Sequence, residues 1–237
     1  MVIRSVLPHL FTLGNLFCGF TALSYIMEGR YVPAAWLLVL GASLDTMDGR
    51  IARFMGQSSR FGIELDSLAD VCTFGVVPAV MIYHSVLHSP WGIALAFVFL
   101  LCGTLRLARY NVLSHEGAKG DLFLGLPIPA AAIALSQYVI FTEHAWQTEH
   151  AGGLGVSMVL LLSFLMVSRI EYDPVPNFRS NALRDRFKQF YFLGAVALVI
   201  HPSTSKDFFF PVVLLYLLSG IYRWVVGTFS DEVTQHA

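Results

Sequence analysis

Apolar residues run along this chain in long unbroken blocks, without the three-and-four or alternating spacing of a half-buried helix or strand. A bilayer's hydrocarbon core, about 30 Å thick, takes roughly 20 mainly apolar residues per helix. Blocks of that kind fall near residues 10–27, 31–54, 62–87, 91–112, 124–142, 154–170, 187–201 and 208–226, the seventh being short. The pattern predicts an all-α, polytopic membrane helix bundle. The blocks fill most of the 237 residues, so 1–237 read as one membrane domain with no room for a separate soluble one. The first block is long, follows a single Arg4 and lacks a small-residue cleavage pattern, which predicts a retained span and not a signal peptide.

Composition agrees. The chain is 56% hydrophobic and 13% charged, where a soluble domain carries about a quarter charged residues. Cys18, Cys72 and Cys102 all fall inside predicted spans; an odd count without ligand-like spacing argues against a disulfide framework or a zinc site. The breaks between blocks are short at 28–30, 56–60 and 88–90 and longer at 113–122, 143–153 and 171–188. The last contains Pro174 and Pro176 and is basic towards its end, as expected of a solvated connector drawn to anionic lipid headgroups.

The net charge of −1 says little, but its placement says more. With eight spans and a cytoplasmic N-terminus, all but Arg30 and Lys206 of the 15 Lys and Arg residues fall on the cytoplasmic side. That is the positive-inside pattern. No nucleic-acid partner is expected. His84, His88, His144 and His150 sit near the outer ends without carboxylate or cysteine neighbours, which reads as interfacial placement and not metal ligation.

Charge at membrane depth concentrates in one stretch holding Asp45, Asp48, Arg50, Arg53, Glu64, Asp66 and Asp70. Ionisable residues there are expensive and are functional candidates by default. Asp45 and Asp48 are spaced i, i+3, and Asp66 and Asp70 i, i+4, so each pair shares a helix face. The first pair closes one span and the second begins the next, so a helical hairpin gathers four carboxylates at the cytoplasmic interface. They need counter-charge. Two divalent cations supply it, and an all-oxygen donor set favours Mg²⁺ or Mn²⁺ over zinc. Gly49, Ala52 and Gly62 leave the facing helix surfaces nearly bare, so a nucleotide can approach the backbone, and Arg53 is placed either to meet a phosphate oxygen or to hold one of the carboxylates. Two structural alternatives are a hairpin held by Asp–Arg salt bridges and an ion pathway; the latter would place acids at mid-membrane.

Residues 45–70 read D-T-M-D-G-R-I-A-R, eight residues, then G-I-E-L-D-S-L-A-D. This resembles the full signature of the CDP-alcohol phosphotransferase family, D-x2-D-G-x2-A-R-x8-G-x3-D-x3-D, with every fixed position filled. The resemblance implies that Asp45, Asp48, Asp66 and Asp70 bind two metal ions and that Asp70 is also the general base. It implies that Gly49, Ala52, Arg53 and Gly62, with Asp48 and Asp66, line the cytidine-diphosphate pocket. It further implies a six-helix core, here about 10–170, with about two additional C-terminal helices at 187–226. A homodimer, a site open to the cytoplasm and a bacterial inner-membrane location are expected with it.

The signature fixes the donor chemistry and not the acceptor. The stretches L-F-T-L-G-N-L-F-C-G-F, R-L-A-R-Y-N, G-L-P-I-P-A-A-A and V-S-R-I-E-Y resemble the family's phosphatidylserine synthase branch, which departs from this chain at His9. The resemblance implies CDP-diacylglycerol and L-serine as substrates. A zwitterionic acceptor wants a cation for its carboxylate. Arg106 and Arg109, one turn apart, are candidates, with Asn111 beyond them and Glu64 for the ammonium. Each arginine also has a bland reading as a helix-end anchor. Asn15, a lone amide in the first span, is expected to make an interhelical hydrogen bond. Another small alcohol (glycerol phosphate, inositol phosphate or choline) and a non-catalytic membrane protein or transporter remain the alternatives.

Overall fold

A computed structural model describes residues 2–55, 60–115, 125–145, 151–170, 209–218 and 220. Among them every regular element is helical: α1 (Val2–Met27), α2 (Tyr31–Met55), α3 (Arg60–Asp70), a π-helical turn (Val71–Val76), α4 (Val77–Ser85), α5 (Pro90–His115), α6 (Ile128–Ala145) and α7 (Ala151–Val167). A further apolar helix, α8, runs over Phe209–Leu218. The first six apolar blocks of the sequence each become helix. The block at 187–201 lies outside the described residues, and that at 208–226 is described as helix over α8.

His9–Met27, Arg60–Ser85 and Pro90–Leu113 are long and apolar enough to cross a membrane on their own. α2 matches them in length but carries Asp45, Asp48 and Arg50 near its end. α1 and α2 form the most extensive helix pair. Their junction is a Schellman cap: Gly29 has φ 73°, Gly29 N–H bonds to Ile26 O at 2.9 Å and Arg30 N–H to Tyr25 O at 2.8 Å. The short break read at 28–30 is this reversal. In lipid, close backbone approach replaces hydrophobic drive. Small buried residues on the two helices, Cys18 and Ala22 against Ala34 and Ala35, permit it.

α3, the π turn and α4 make one continuous rod. The turn follows from Pro78, which sits in the first turn of α4. Proline lacks an N–H, and its ring would strike the carbonyl four residues back. Widening the helix relieves both problems, and Val77 N–H bonds to Cys72 O, an i→i−5 bond. The turn packs against α1, α2, α5 and α6, so it is the hub of the bundle. Thr73 and Phe74 are fully buried there.

The block read as 124–142 starts its helix only at Ile128. Gly125, at φ 81°, turns the preceding chain so that Gly125 N–H meets Ile170 O and Leu126 N–H meets Leu165 O, both at 3.0 Å. A side chain at Gly125 would lie against the carbonyls of Met166 and Ser168. Pro129 then sits in the first turn of α6, as the sequence suggests. At the opposite end of the bundle Tyr83 stacks on His88 at 5.2 Å, and Tyr31 Oη lies 3.5 Å from His84 Nδ1. These histidines keep company with aromatic rings, the usual occupants of a membrane interface.

Candidate metal and substrate site

α2 and α3 run antiparallel around the break at 56–59, which lies outside the described residues. One carboxylate oxygen from each of Asp45, Asp48 and Asp66 lies within 4.8 Å of the others. The Asp45 carboxylate is also within hydrogen-bonding reach of those of Asp66 and Asp70. Asp70 stands one turn deeper than Asp66, about 6 Å along the rod. Asp48 and Asp70 are 5% and 7% exposed. The hairpin thus gathers all four acids, as their spacing predicts.

Among the described residues no ion pair reaches these aspartates; the one present joins Arg30 to Glu28 at the far end of the bundle. Asp66 Oδ1 is buried and meets no hydrogen-bond donor among the described residues. Removing four acids from water costs far more than such a hairpin returns unless charge is supplied. The donor set is hard oxygen throughout, so the residues present fit divalent cations of the Mg²⁺ or Mn²⁺ type.

The surrounding wall comes from three helices. Thr12 Oγ1 on α1 donates to Asp48 Oδ2 at 2.8 Å. Asn15 Nδ2, also on α1, donates to Asp70 Oδ1 at 3.1 Å. His9 lies within electrostatic reach of Asp48, its ring edge-on to Phe61 with centroids 5.8 Å apart. Asn15 makes the interhelical bond expected of it, and makes it to one of the four acids; Thr12 was not expected at the site. The signal was available: His9, Thr12 and Asn15 recur every three residues in an otherwise apolar block.

Gly49 is half-buried, and a Cβ added there would meet nothing within 4 Å. Among the described residues no packing requires a glycine at this position. Gly62 lies one turn before Asp66 on the same face. Ala52 and Arg53 belong to the last turns of α2, and their side chains lie outside the described part.

The four residues considered for a zwitterionic acceptor separate. Arg106 is 7% exposed, its Nε is buried without a hydrogen-bond partner among the described residues, and it stands within electrostatic reach of Asp70 and of Tyr216 on α8. Arg109 instead donates from Nη1 to Val167 O at 2.9 Å and from Nη2 to Ser168 O at 3.2 Å, tying α5 to the end of α7. Asn111 Nδ2 donates to Ser67 Oγ at 2.9 Å and ties α5 to α3. Glu64 is exposed and, two residues before Asp66, projects to the opposite side of α3. The structure therefore brings Arg106 to the acids and uses Arg109 and Asn111 to hold helices.

Residues 5–170 match the family model described as CDP-alcohol phosphatidyltransferase. The chain is 35% identical over 221 residues to the CDP-diacylglycerol–serine O-phosphatidyltransferase of Helicobacter pylori strain ATCC 700392 / 26695, covering 92% of this chain and 90% of that one. It is 34% identical over 191 residues to the protein of the same name from Methanocaldococcus jannaschii, covering 81% and 84%. It is 35% identical over 173 residues to the archaetidylserine synthase of Methanothermobacter thermautotrophicus, covering 71% and 70%.

Proposed function

Because this chain belongs to the CDP-alcohol phosphatidyltransferase family, we propose that it is an integral membrane enzyme that transfers a phosphatidyl group from CDP-diacylglycerol to L-serine. The products are phosphatidylserine and CMP. The observation that carries this reading is the carboxylate cluster of Asp45, Asp48, Asp66 and Asp70 beside the buried Arg106, whose Nε has no hydrogen-bond partner among the described residues. The names of the relatives supply serine as acceptor and CDP-diacylglycerol as donor.

Asp45, Asp48, Asp66 and Asp70 would hold two divalent cations, Mg²⁺ or Mn²⁺. When bound, these neutralise the diphosphate and stabilise the phosphate of CMP as it leaves. Gly49 and Gly62 let the nucleotide lie against bare helix backbone, and the signature residues Ala52 and Arg53 are assigned to the same ligand by sequence. Arg106 holds the serine carboxylate, the planar guanidinium being suited to a bidentate contact. Asp70, next to Arg106, takes the proton from the serine hydroxyl. The serine oxygen forms its bond to the phosphorus that bears diacylglycerol, and the bond from that phosphorus to the CMP oxygen breaks. No covalent enzyme intermediate is needed.

The site opens at the basic end of the bundle, where Arg60, Arg106 and Arg109 lie, and the positive-inside rule makes that end cytoplasmic. The lipid tails of the donor remain beside the bundle, whose outer faces carry Phe17, Phe20, Phe97 and Phe164.

The test is CMP release by purified protein in detergent with CDP-diacylglycerol and Mg²⁺ or Mn²⁺. Serine, glycerol 3-phosphate, inositol phosphate and choline are added one at a time. Release that requires serine and metal is the expected result. Release with another acceptor only would overturn the role of Arg106, and no release with any acceptor would overturn the enzymatic reading.

A further inference from the structure

α1 divides into two faces. Leu10, Leu13, Phe17 and Phe20 are exposed, as lipid-facing residues are. His9, Thr12 and Asn15 form a stripe turned inwards, spanning a sector of about 120° at 100° per residue. Polar side chains in a membrane helix face the bundle and pair there. Here the partners are two of the four acids. Thr12 is 3% exposed and Asn15 fully buried, so each bond lies away from water.

Asn15 is itself held. Thr73 Oγ1, in the π turn, donates to the Asn15 backbone carbonyl at 3.1 Å. On the other side α2 comes so close that a Cβ on Gly41 would lie 2.8 Å from Asn15 Oδ1. Asn15 Oδ1 is buried without a partner among the described residues. The amide is thus confined by packing, and the hydrogen bond it makes is the one from Nδ2 to Asp70.

We propose that Thr12 and Asn15 are positioning residues, each fixing the carboxylate plane of one buried aspartate, Asp48 and Asp70 respectively. α1 is then a third wall of the site, although none of its residues belongs to the aspartate signature. The proposal rests on the reading of the four aspartates as the cation and base site. Like-charged carboxylates this close repel and splay unless something orients them. A neutral donor bonded to one oxygen orients the group without neutralising it. Groups that orient metal-binding side chains in this way typically affect metal affinity or activity about 10- to 100-fold.

The experiment measures Mn²⁺ binding by the full chain in detergent without substrates, from the electron paramagnetic resonance signal of free Mn²⁺, followed by steady-state kinetics. Thr12→Val keeps the shape and removes the donor, and Thr12→Ser keeps the donor. We expect Thr12→Val to weaken Mn²⁺ binding about 10- to 100-fold, Thr12→Ser to stay within a few-fold of the parent, and serine KM to hold in both. If valine prevents folding, Thr12→Ala carries the same expectation. Asn15→Leu is expected to lower kcat at saturating metal by a similar factor, with the KM of both substrates nearly unchanged. Parent-like Mn²⁺ binding in the donor-less Thr12 variant together with parent-like kcat in Asn15→Leu would overturn the proposal. Equal damage from serine and valine would overturn it for Thr12. A parent protein that binds no Mn²⁺ would remove the cation reading beneath it, which separates the two failures.

Discussion

Arg106 and Arg109 stand one turn apart on α5 and serve different partners. Arg109 spends its two Nη groups on the carbonyls of Val167 and Ser168, while Arg106 Nε lies buried near Asp70 with no partner among the described residues. The carbonyls at the end of a helix have no intrahelical donors, so Arg109 acts as a cap supplied from another helix. Arg106→Ala is expected to raise serine KM by one to several orders of magnitude with little change in the KM for CDP-diacylglycerol. Arg109→Ala is expected to leave serine KM in place and lower stability by roughly 1–3 kcal/mol, as loss of charged hydrogen bonds does. Serine titrations and thermal unfolding in detergent separate the two.

Asp70→Asn keeps the shape of the side chain and removes its basicity. Turnover is expected to fall by at least about 10²–10⁴-fold, the usual worth of a general base. Nucleotide binding, carried also by Asp48 and Gly49, should survive in part. Binding of CDP to the variant, measured by calorimetry, tests the second half. Near-parental turnover would remove Asp70 from its assigned role.

Gly49 gives a test in which activity and stability part company. Because a Cβ there meets no atom of the described residues within 4 Å, Gly49→Ala should fold as well as the parent or slightly better, alanine being the better helix former by about 1 kcal/mol. Its KM for CDP-diacylglycerol should rise several-fold as the methyl group occupies the space of the nucleotide. An unchanged KM would mean that the nucleotide does not lie against this turn.

Gly125→Ala should do the reverse. The residue sits at φ 81°, and its Cβ would overlap the Met166 carbonyl. Left-handed backbone alone costs a non-glycine residue about 1–2 kcal/mol, and the overlap adds to that. The expected result is a clear drop in melting temperature. Residual folded protein should retain its serine KM, because Gly125 touches α7 and none of the four acids.

The sequence made the acid cluster legible because i, i+3 and i, i+4 spacing on two adjoining helices leaves few ways to arrange four aspartates. It also made the helices themselves legible, since lipid demands continuous apolar runs. The separate duties of Arg106 and Arg109 could not be read, because the partners of Arg109 lie 58 and 59 residues away in sequence and only the fold brings them near. The role of α1 was half visible: the three-residue spacing of His9, Thr12 and Asn15 marks an inward face, but the acids it meets come from other helices. The reversal at Gly125 was hidden, because the residue looks like one more small residue in an apolar block until its left-handed backbone is known.

The widened turn at Val71–Val76 sets the rotational phase between the two halves of one rod. One residue more than an α-turn holds shifts every later side chain by about 100° around the axis. The half that carries the acids can therefore aim Asp66 and Asp70 at α1 and α2 while the other half turns Val77, Met81 and Ile82 into the core. Deleting a single residue within the turn would remove that phase offset. It would leave all four aspartates in the chain, yet once α4 was packed the aspartates of α3 would point about a quarter-turn away from those of α2.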